Sequence, residues 1–590
     1  MRRLRTTLFW SAIAALVIAQ APGVLAKDGD STKTPKPPKV DRELLQQQAD
    51  GARTLHVILR AASRHDWTEL HKTLRARRLA ITRVAPQTNA FALTVSAAAL
   101  AWLDTLDGVS SISSDAPVTT APVSSEAALS GTASVGLVRK STLRAQLGLT
   151  ADDATGRGIG IAILDSGIAP VSDLAGHITA FYDFSNGQPG VATAPVDGYG
   201  HGTHVAGLIA GSGALSGGQY SGVAPDARLI GLRVLNNAGT GTTSDVIAAI
   251  DFAIAHKKAL GLDILNLSIG HPVFESAATD PLVQAVEAAT RAGLLVVVAA
   301  GNSGVNPQTN QVGYAGILVP GNAPSAITVA SAKTQGTVDV NDDRIADYSS
   351  RGPSWIDGLA KPDVAAPGQT LAAPAAPGSY LVTTYPTLLV PDSFGQRTYL
   401  LLSGTSMAAA VETGLLAVTL ETSRTAHPSS TTLTANALKA ITEYTALPLH
   451  DASGTVYDRL TQGVGRVNGQ GLLQLAKAID PSAPLGQAWL TTAVVPVSTY
   501  AGVAVPWAQN IVWGENIVWG EGLIAANNIV WGENIVWGEN IVWGEHTLDT
   551  QNIVWGEQTL STQNIVWGEN IVWGENIVWG ESVAHSGGEK

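Results

Sequence analysis

Apolar residues follow three regimes along the chain. From Gly158 to about Asp480 they come in continuous runs, such as Ile159-Gly160-Ile161-Ala162-Ile163-Leu164 and Leu294-Leu295-Val296-Val297-Val298-Ala299. A strand with one wet face alternates apolar and polar; a strand buried on both faces does not. Helical stretches, including Ser244 to Ala259 and Pro281 to Ala292, separate the runs. Buried strands interleaved with helices predict an α/β fold, a doubly wound parallel sheet, with any site at the carboxyl ends of its strands.

The second regime is shorter. Leu55–Leu59, Phe91–Val95 and Val109–Ile112 read as strands, and Asp66–Leu74 and Ala97–Leu106 as helices, with Asp66 as N-cap. Two short helices among strands predict a small α+β, ferredoxin-like unit over residues 55–116. Residues 27–54, 117–134 and 481–509 read as linkers. The third regime is a tail with a strict period of six over residues 510–581, in which nine of twelve units read Asn-Ile-Val-Trp-Gly-Glu. Six is even, so the two-residue alternation of a strand keeps its phase through every unit. This predicts a β repeat with an Ile–Trp stripe suited to a cell surface or polysaccharide, against the alternative of a disordered tail. Residues 582–590 follow as a short terminal segment.

The amino terminus changes the setting. Arg2, Arg3 and Arg5 precede a mostly apolar stretch from Leu8 to Ala19, and Val24-Leu25-Ala26 offers a cleavage site. Residues 1–26 thus read as a signal peptide, predicting a secreted or extracellular protein, periplasmic or cell-surface associated, with no membrane span after its removal. The net charge of −12, from 36 basic and 48 acidic residues, argues against a nucleic-acid partner. The absence of cysteine excludes a disulfide framework, a thiolate metal site and a cysteine nucleophile.

Three segments carry candidate chemistry. In Ile163-Leu164-Asp165-Ser166-Gly167 a carboxylate ends an apolar strand, where it can hold an imidazole, although an Asp there is also a common turn residue. In His201-Gly202-Thr203-His204-Val205-Ala206-Gly207 a histidine flanked by glycine can act as a general base. Two histidines three apart can also suggest a metal, but no HExxH glutamate or carboxylate cluster completes a site. In Gly404-Thr405-Ser406-Met407-Ala408-Ala409-Ala410 a serine opens a helix, beside free N–H groups and the positive dipole end, where a plain N-cap is the commoner role.

Together these segments resemble the Asp, His and Ser boxes of the subtilisin-like serine peptidases (subtilases), in that family's order. Ala299-Ala300-Gly301-Asn302-Ser303 is similar to its oxyanion segment. Leu267-Ser268-Ile269-Gly270, Ser349-Ser350-Arg351-Gly352-Pro353 and Lys361 to Gly368 are similar to further family stretches. The resemblance covers about residues 135–480. It implies a catalytic triad of Asp165, His201 and Ser406, with Asn302 as oxyanion donor. Leu267, Ser268, Ile269, Gly270, Ala300 and Gly301 would flank the pocket for the residue before the cut, and their lack of charge implies apolar or aromatic side chains there. It further implies protein or peptide substrates, self-processing, and residues 55–116 as an inhibitory propeptide. No cofactor is required for the chemistry. A structural calcium ion stays open: Asp173 could be a ligand, but Gly211 to Gly218 offers few oxygen side chains. The metal ligands are unknown. Ala410 stands where many members carry proline. Residues 369–400 read as inserted surface loops near the cleft. The competing reading is a surface-binding or adhesive repeat protein using the peptidase fold as scaffold.

Overall fold

The computed structural model describes residues 39–120, 141–306, 309, 311–483 and 490–509. The expected signal peptide and the hexapeptide repeats lie outside these residues.

Residues 55–114 fold as strand Leu55–Ala61, helix Arg64–Ala76, strands Ala80–Ala85 and Ala90–Val95, helix Ala97–Asp104 and strand Val109–Ser114. Strand Leu55–Ala61 lies between Ala90–Val95 and Val109–Ser114, with Ala80–Ala85 at the edge, the order of a ferredoxin-like sandwich. Three details differ from the sequence reading. The N-cap of the first helix is Ser63, whose hydroxyl accepts from the Asp66 N–H and donates to the Asp66 carboxylate. Strand Ala80–Ala85 escaped notice because an edge strand shows little apolar pattern. Part of the expected linker 27–54 is folded: Asp41 caps helix Arg42–Ala49, and Leu44 is buried in the small unit's core with Leu55, Leu74 and Phe91.

Among the described residues the largest sheet has nine strands. Gly160–Asp165 pairs in parallel with Arg228–Arg233 on one side and Ile264–Leu267 on the other. Ile264–Leu267 continues in parallel to Leu295–Ala299, and that strand to Ile327–Lys333. The short edge strands Val191–Ala192 and Arg344–Ile345 pair antiparallel. The expected runs are fully buried because each face carries its own apolar core. Helices His201–Ala210 and Thr405–Ala426 pack into one core, and Thr243–Leu260 and Pro281–Arg291 into the other. The chain passes from Arg228–Arg233 across Gly160–Asp165 to reach Ile264–Leu267. Such a switch in winding opens a crevice at the carboxyl ends, and Asp165 stands there.

The expected linker 481–509 also contains folded structure. Val497–Tyr500 and Val503–Pro506 form a hairpin. Tyr500 and Trp507 are buried in the main core, and the Tyr500 hydroxyl donates to the Leu147 carbonyl and the Asn468 side chain. Aromatic rings so placed anchor the segment through both area and hydrogen bonds. Residues 369–400, expected as surface loops, include helix Tyr380–Thr384 and strands Leu371–Pro374 and Leu389–Val390, which form a three-stranded sheet with Tyr399–Leu402. No helix among the described residues is long and apolar enough to cross a membrane.

Candidate active site

Asp165 closes its strand and is wholly buried. The chain turns at Gly167, where φ is +122° and an added Cβ would sit 1.9 Å from the Val196 carbonyl oxygen. His201 is the first residue of its helix, after Gly200 in the left-handed region. The helix start lies on the strand end: a Cβ at Gly202 would meet the Gly167 carbonyl at 2.1 Å and Asp165 Cβ at 3.1 Å. That contact requires the glycine that follows His201. The His201 Nδ1–H donates to both Asp165 carboxylate oxygens at 2.9 Å. This bond fixes the tautomer, leaving Nε2 as the basic nitrogen.

A second carboxylate, absent from the sequence reading, holds this arrangement. Asp197 is buried and accepts from the Ser166 hydroxyl, the Tyr199 and Gly200 N–H groups, and the N–H and hydroxyl of Thr203. It clamps the residue after Asp165 to both sides of His201. Burial pushes its carboxyl upward, against the hydrogen bonds from Thr203 and Gly200. Five donors and no acceptor partner suit the ionised form. The signal in the sequence was an Asp four residues before His201, at a helix entry rich in orphan N–H groups.

Ser406 is the second residue of helix Thr405–Ala426 and is 2% exposed. Its hydroxyl donates to the Ser268 carbonyl at 3.2 Å, and the Ser268 hydroxyl donates back to the Ser406 carbonyl at 3.1 Å. Asn302 reaches the same helix start. Its Oδ1 accepts from the Thr405 N–H and hydroxyl, both at 3.0 Å. Its Nδ2 lies beside Gly404, 3.3 Å from where a Cβ would stand. The Ser349-Ser350-Arg351 stretch props this loop. The Ser350 N–H donates to the Gly301 carbonyl, its hydroxyl accepts from the Ser303 N–H, and Arg351 donates to the Gly304 carbonyl. Lys361 and Lys439 both pair with Asp363, all three buried, so the Lys361 stretch is a structural tie away from the chemistry. Ala410 is buried in an unbroken helix.

The chain itself supplies a strand that runs toward these residues. Residues 117–120, inside the expected linker 117–134, form strand Pro117–Thr120. It pairs antiparallel with Thr240–Thr242 on one side and Ile269–Gly270 on the other. Val118 is buried among Leu235, Val246 and Ile269, and Thr120 hydrogen-bonds Tyr199. The register places Thr119 against Gly270 and Thr120 against Ile269, so the strand runs toward Ser268 and the Ser406 hydroxyl. Of the expected flanking residues, Ile269 and Gly270 border this strand and Ser268 touches Ser406. Leu267 ends a strand of the sheet, and Ala300 and Gly301 lead into Asn302.

His204 lies within hydrogen-bond distance, 3.0 Å, of the Leu371 and Leu400 carbonyls, a tie from helix to inserted sheet. Asp173 was the expected calcium ligand. Its carboxylate accepts from the Leu215 N–H at 3.1 Å and from the Tyr399 hydroxyl. Calcium needs six to eight oxygen ligands, and both oxygens of this carboxylate already take protein donors. Among the described residues no group of three or more His, Asp or Glu side chains gathers as a metal site.

Comparison with known proteins agrees with this geometry. The family model described as "Subtilase family" matches residues 156–471. Over 272 residues the chain is 40% identical to "Serine protease AprX" of Bacillus subtilis (strain 168), covering 45% of this chain and 58% of that protein. Over 247 residues it is 36% identical to "Subtilisin" of Bacillus sp. (strain TA39), covering 41% and 56%. It thus spans a little over half the length of these relatives. Among solved structures, fervidolysin from Fervidobacterium pennivorans, described as a keratinolytic enzyme related to subtilisin, superposes with a TM-score of 0.53 at 22% identity. The match covers 76% of this chain and 63% of that one, a likeness of fold.

Proposed function

The chain belongs to the subtilase family, and from that premise we propose that it is a secreted serine endopeptidase whose N-terminal unit is its own inhibitor. One observation carries this reading. The chain lays its own strand Pro117–Thr120 along the groove that leads to Ser406, backbone to backbone, as a peptide substrate would lie.

In the reaction, the Ser406 hydroxyl leaves the Ser268 carbonyl and turns to the imidazole. Its oxygen bonds to the scissile carbonyl carbon as His201 Nε2 takes its proton. The carbonyl electron pair moves onto oxygen, where the Asn302 amide and the Ser406 N–H receive it. The C–N bond then breaks, His201 returns the proton to the leaving amine, and water repeats the sequence to free the acyl group. Asp165 accepts the Nδ1–H throughout and stabilises the imidazolium. No step calls for a metal. Leu267–Gly270, Ala300 and Gly301 offer no charged side chain to the residue before the cut, which favours uncharged residues there.

The contacts of the small unit support its role as inhibitor. Arg83 pairs with Asp245, Asp251 accepts from the Gln87 and Thr88 N–H groups, and Asp115 accepts from Ser244. The leader at residues 1–26 supports export, and residues 510–581 serve attachment, outside the catalytic machinery. The scaffold reading is not favoured, because a scaffold has no use for a buried Asp–His pair together with a helix-start serine whose helix entry is held by an asparagine amide. The test is to treat the secreted protein with a fluorophosphonate and map the labelled residue and the chain ends by mass spectrometry. Label on Ser406 and a new amino terminus beyond Thr120 are expected. Label elsewhere, or none on folded protein, rejects the assignment.

A further inference from the structure

We infer that Leu318 stops the pocket for the side chain before the cut and restricts that position to glycine, alanine and serine, in place of the apolar or aromatic side chains that the uncharged walls alone imply; this rests on the peptidase reading above. Ser406, Ser268 and Asn302 fix where a reacting carbonyl must sit. Two segments that follow neighbouring strands flank that point, Ser268 to Gly270 and Ala300 to Asn302, and on the peptidase reading the substrate side chain enters between them. Leu318 and Val319 are strung across the far end. The Leu318 N–H donates to the Ala300 carbonyl at 3.1 Å, and Val319 exchanges hydrogen bonds with His271, next to Gly270, at 2.9 and 3.1 Å.

The Leu318 side chain fills the gap so bridged. A Cβ added to Gly301 would lie 2.8 Å from Leu318 Cγ and 3.1 Å from Cδ1. One added to Gly270 would lie 3.1 Å from Leu318 Cβ and 3.5 Å from Cδ1. One isobutyl group therefore touches both walls, and the gap is about one leucine wide. Ile317 and Val319 are buried, whereas Leu318 is partly exposed, so it is the residue of this trio that meets a substrate. Its main chain is tied on both sides, so it cannot back away from a phenyl ring without breaking hydrogen bonds to Ala300 or shifting the His271 pairing. A methyl or hydroxymethyl group needs no such movement. Bulk at the end of a slot selects by exclusion.

The test uses peptides that differ only in the residue before the cut, Ala, Leu or Phe, and compares kcat/KM. The unsubstituted enzyme should prefer Ala over Phe by roughly tenfold or more, the range in which pocket volume discriminates. Leu318→Ala and Leu318→Gly should raise kcat/KM for Phe by a similar factor and reverse the preference. A preference for Phe in the unsubstituted enzyme overturns the inference without any variant being made. So does an Ala-to-Phe ratio that the two folded variants leave unchanged. Failure of every peptide, with no fluorophosphonate label on Ser406, overturns the peptidase reading itself and this inference with it.

Discussion

Two buried polar regions of the molecule contrast sharply. At the site, Asp165 and Asp197 take their donors from Ser166, Tyr199, Gly200, His201 and Thr203, all within forty residues of one domain. At the contact with the small unit, Asp245 and Asp251 take donors from that unit, whereas Asp280 caps its own helix through the Leu282 and Val283 N–H groups and lies beside Glu275. Arg83 serves Asp245, the Gln87 and Thr88 N–H groups serve Asp251, and Ser113, Asp41 and Arg60 face Glu275 and Asp280. Burial pushes the Asp251 carboxyl up to about 6, against its hydrogen bonds from Thr88 and Gln87. Burial, with Asp280 beside it, pushes Glu275 up to about 8. The difference is that the first region is satisfied within its own domain, whereas Asp245 and Asp251 in the second draw donors from the small unit. Water can replace the small unit as the partner of these carboxylates, and it restores their ionisation when it does.

The strongest way to break this comparison is Ser406→Ala. Hydrolysis and fluorophosphonate labelling should fall to background, while binding of the small unit stays intact because its polar contacts lie elsewhere. Residual turnover in the purified variant would remove Ser406 from its role. Asn302→Ala should lower kcat by about 100- to 1,000-fold, the range known for the oxyanion donor of subtilisin. Circular dichroism should show an unchanged fold, and a loss of only a few fold would place the donor elsewhere.

Arg83→Ala acts on the second region alone. It leaves Asp245 buried without its cation, and removing one partner of such a pair costs about 3–5 kcal/mol. The small unit, added in trans, should inhibit roughly 150- to 5,000-fold less well, with kcat of the mature enzyme unchanged. Equal inhibition would mean that the groove strand alone supplies the grip.

The same region should respond to pH. A carboxyl whose value is raised in the complex takes up a proton on binding, so the complex gains at low pH. That gain is fully present below the free value and disappears as pH rises through the bound one. Inhibition should therefore weaken toward pH 8 and level off above it, by at most about tenfold per unit for one such group. Glu275→Gln should flatten the profile, and an inhibition constant that strengthens with pH would contradict it.

The smallest effect concerns Asp173. Tyr399→Phe removes a hydrogen bond to a buried carboxylate, at a cost of about 1.5–3 kcal/mol. Tm should drop by a few degrees in calcium and in chelator alike. A Tm that depends strongly on calcium in the unsubstituted enzyme would show that a cation takes that corner.

Much of this was legible because the relevant chemistry is local. His201-Gly202 could be read as a pair because only glycine permits the helix to rest on the Asp165 strand. Asp165 itself stood out as a carboxylate at the end of a run with no wet face. Strand Pro117–Thr120 could not be read. Its sequence, Pro-Val-Thr-Thr, has no strong pattern, and its order comes from pairing with residues more than a hundred positions away. The hairpin before Trp507 was missed for the same reason: a strand pair of four residues each gains its stability from the core beneath it.

By itself the sequence determined the layered α/β class and the small α+β unit, because periodicity and short-range turn chemistry are written in neighbouring residues, while Asp165, His201, Ser406 and Asn302 stood out through their resemblance to the subtilase boxes. Only the tertiary structure decided that Asp197 clamps the Asp–His pair, that Tyr399 occupies the Asp173 carboxylate, that the chain's own strand runs toward Ser406, and that Leu318 stands between Gly270 and Gly301. Each of these joins segments that do not adjoin in sequence. Burial strengthens a polar contact and makes a bulky one exclusive only once folding has brought the partners together and removed the water between them.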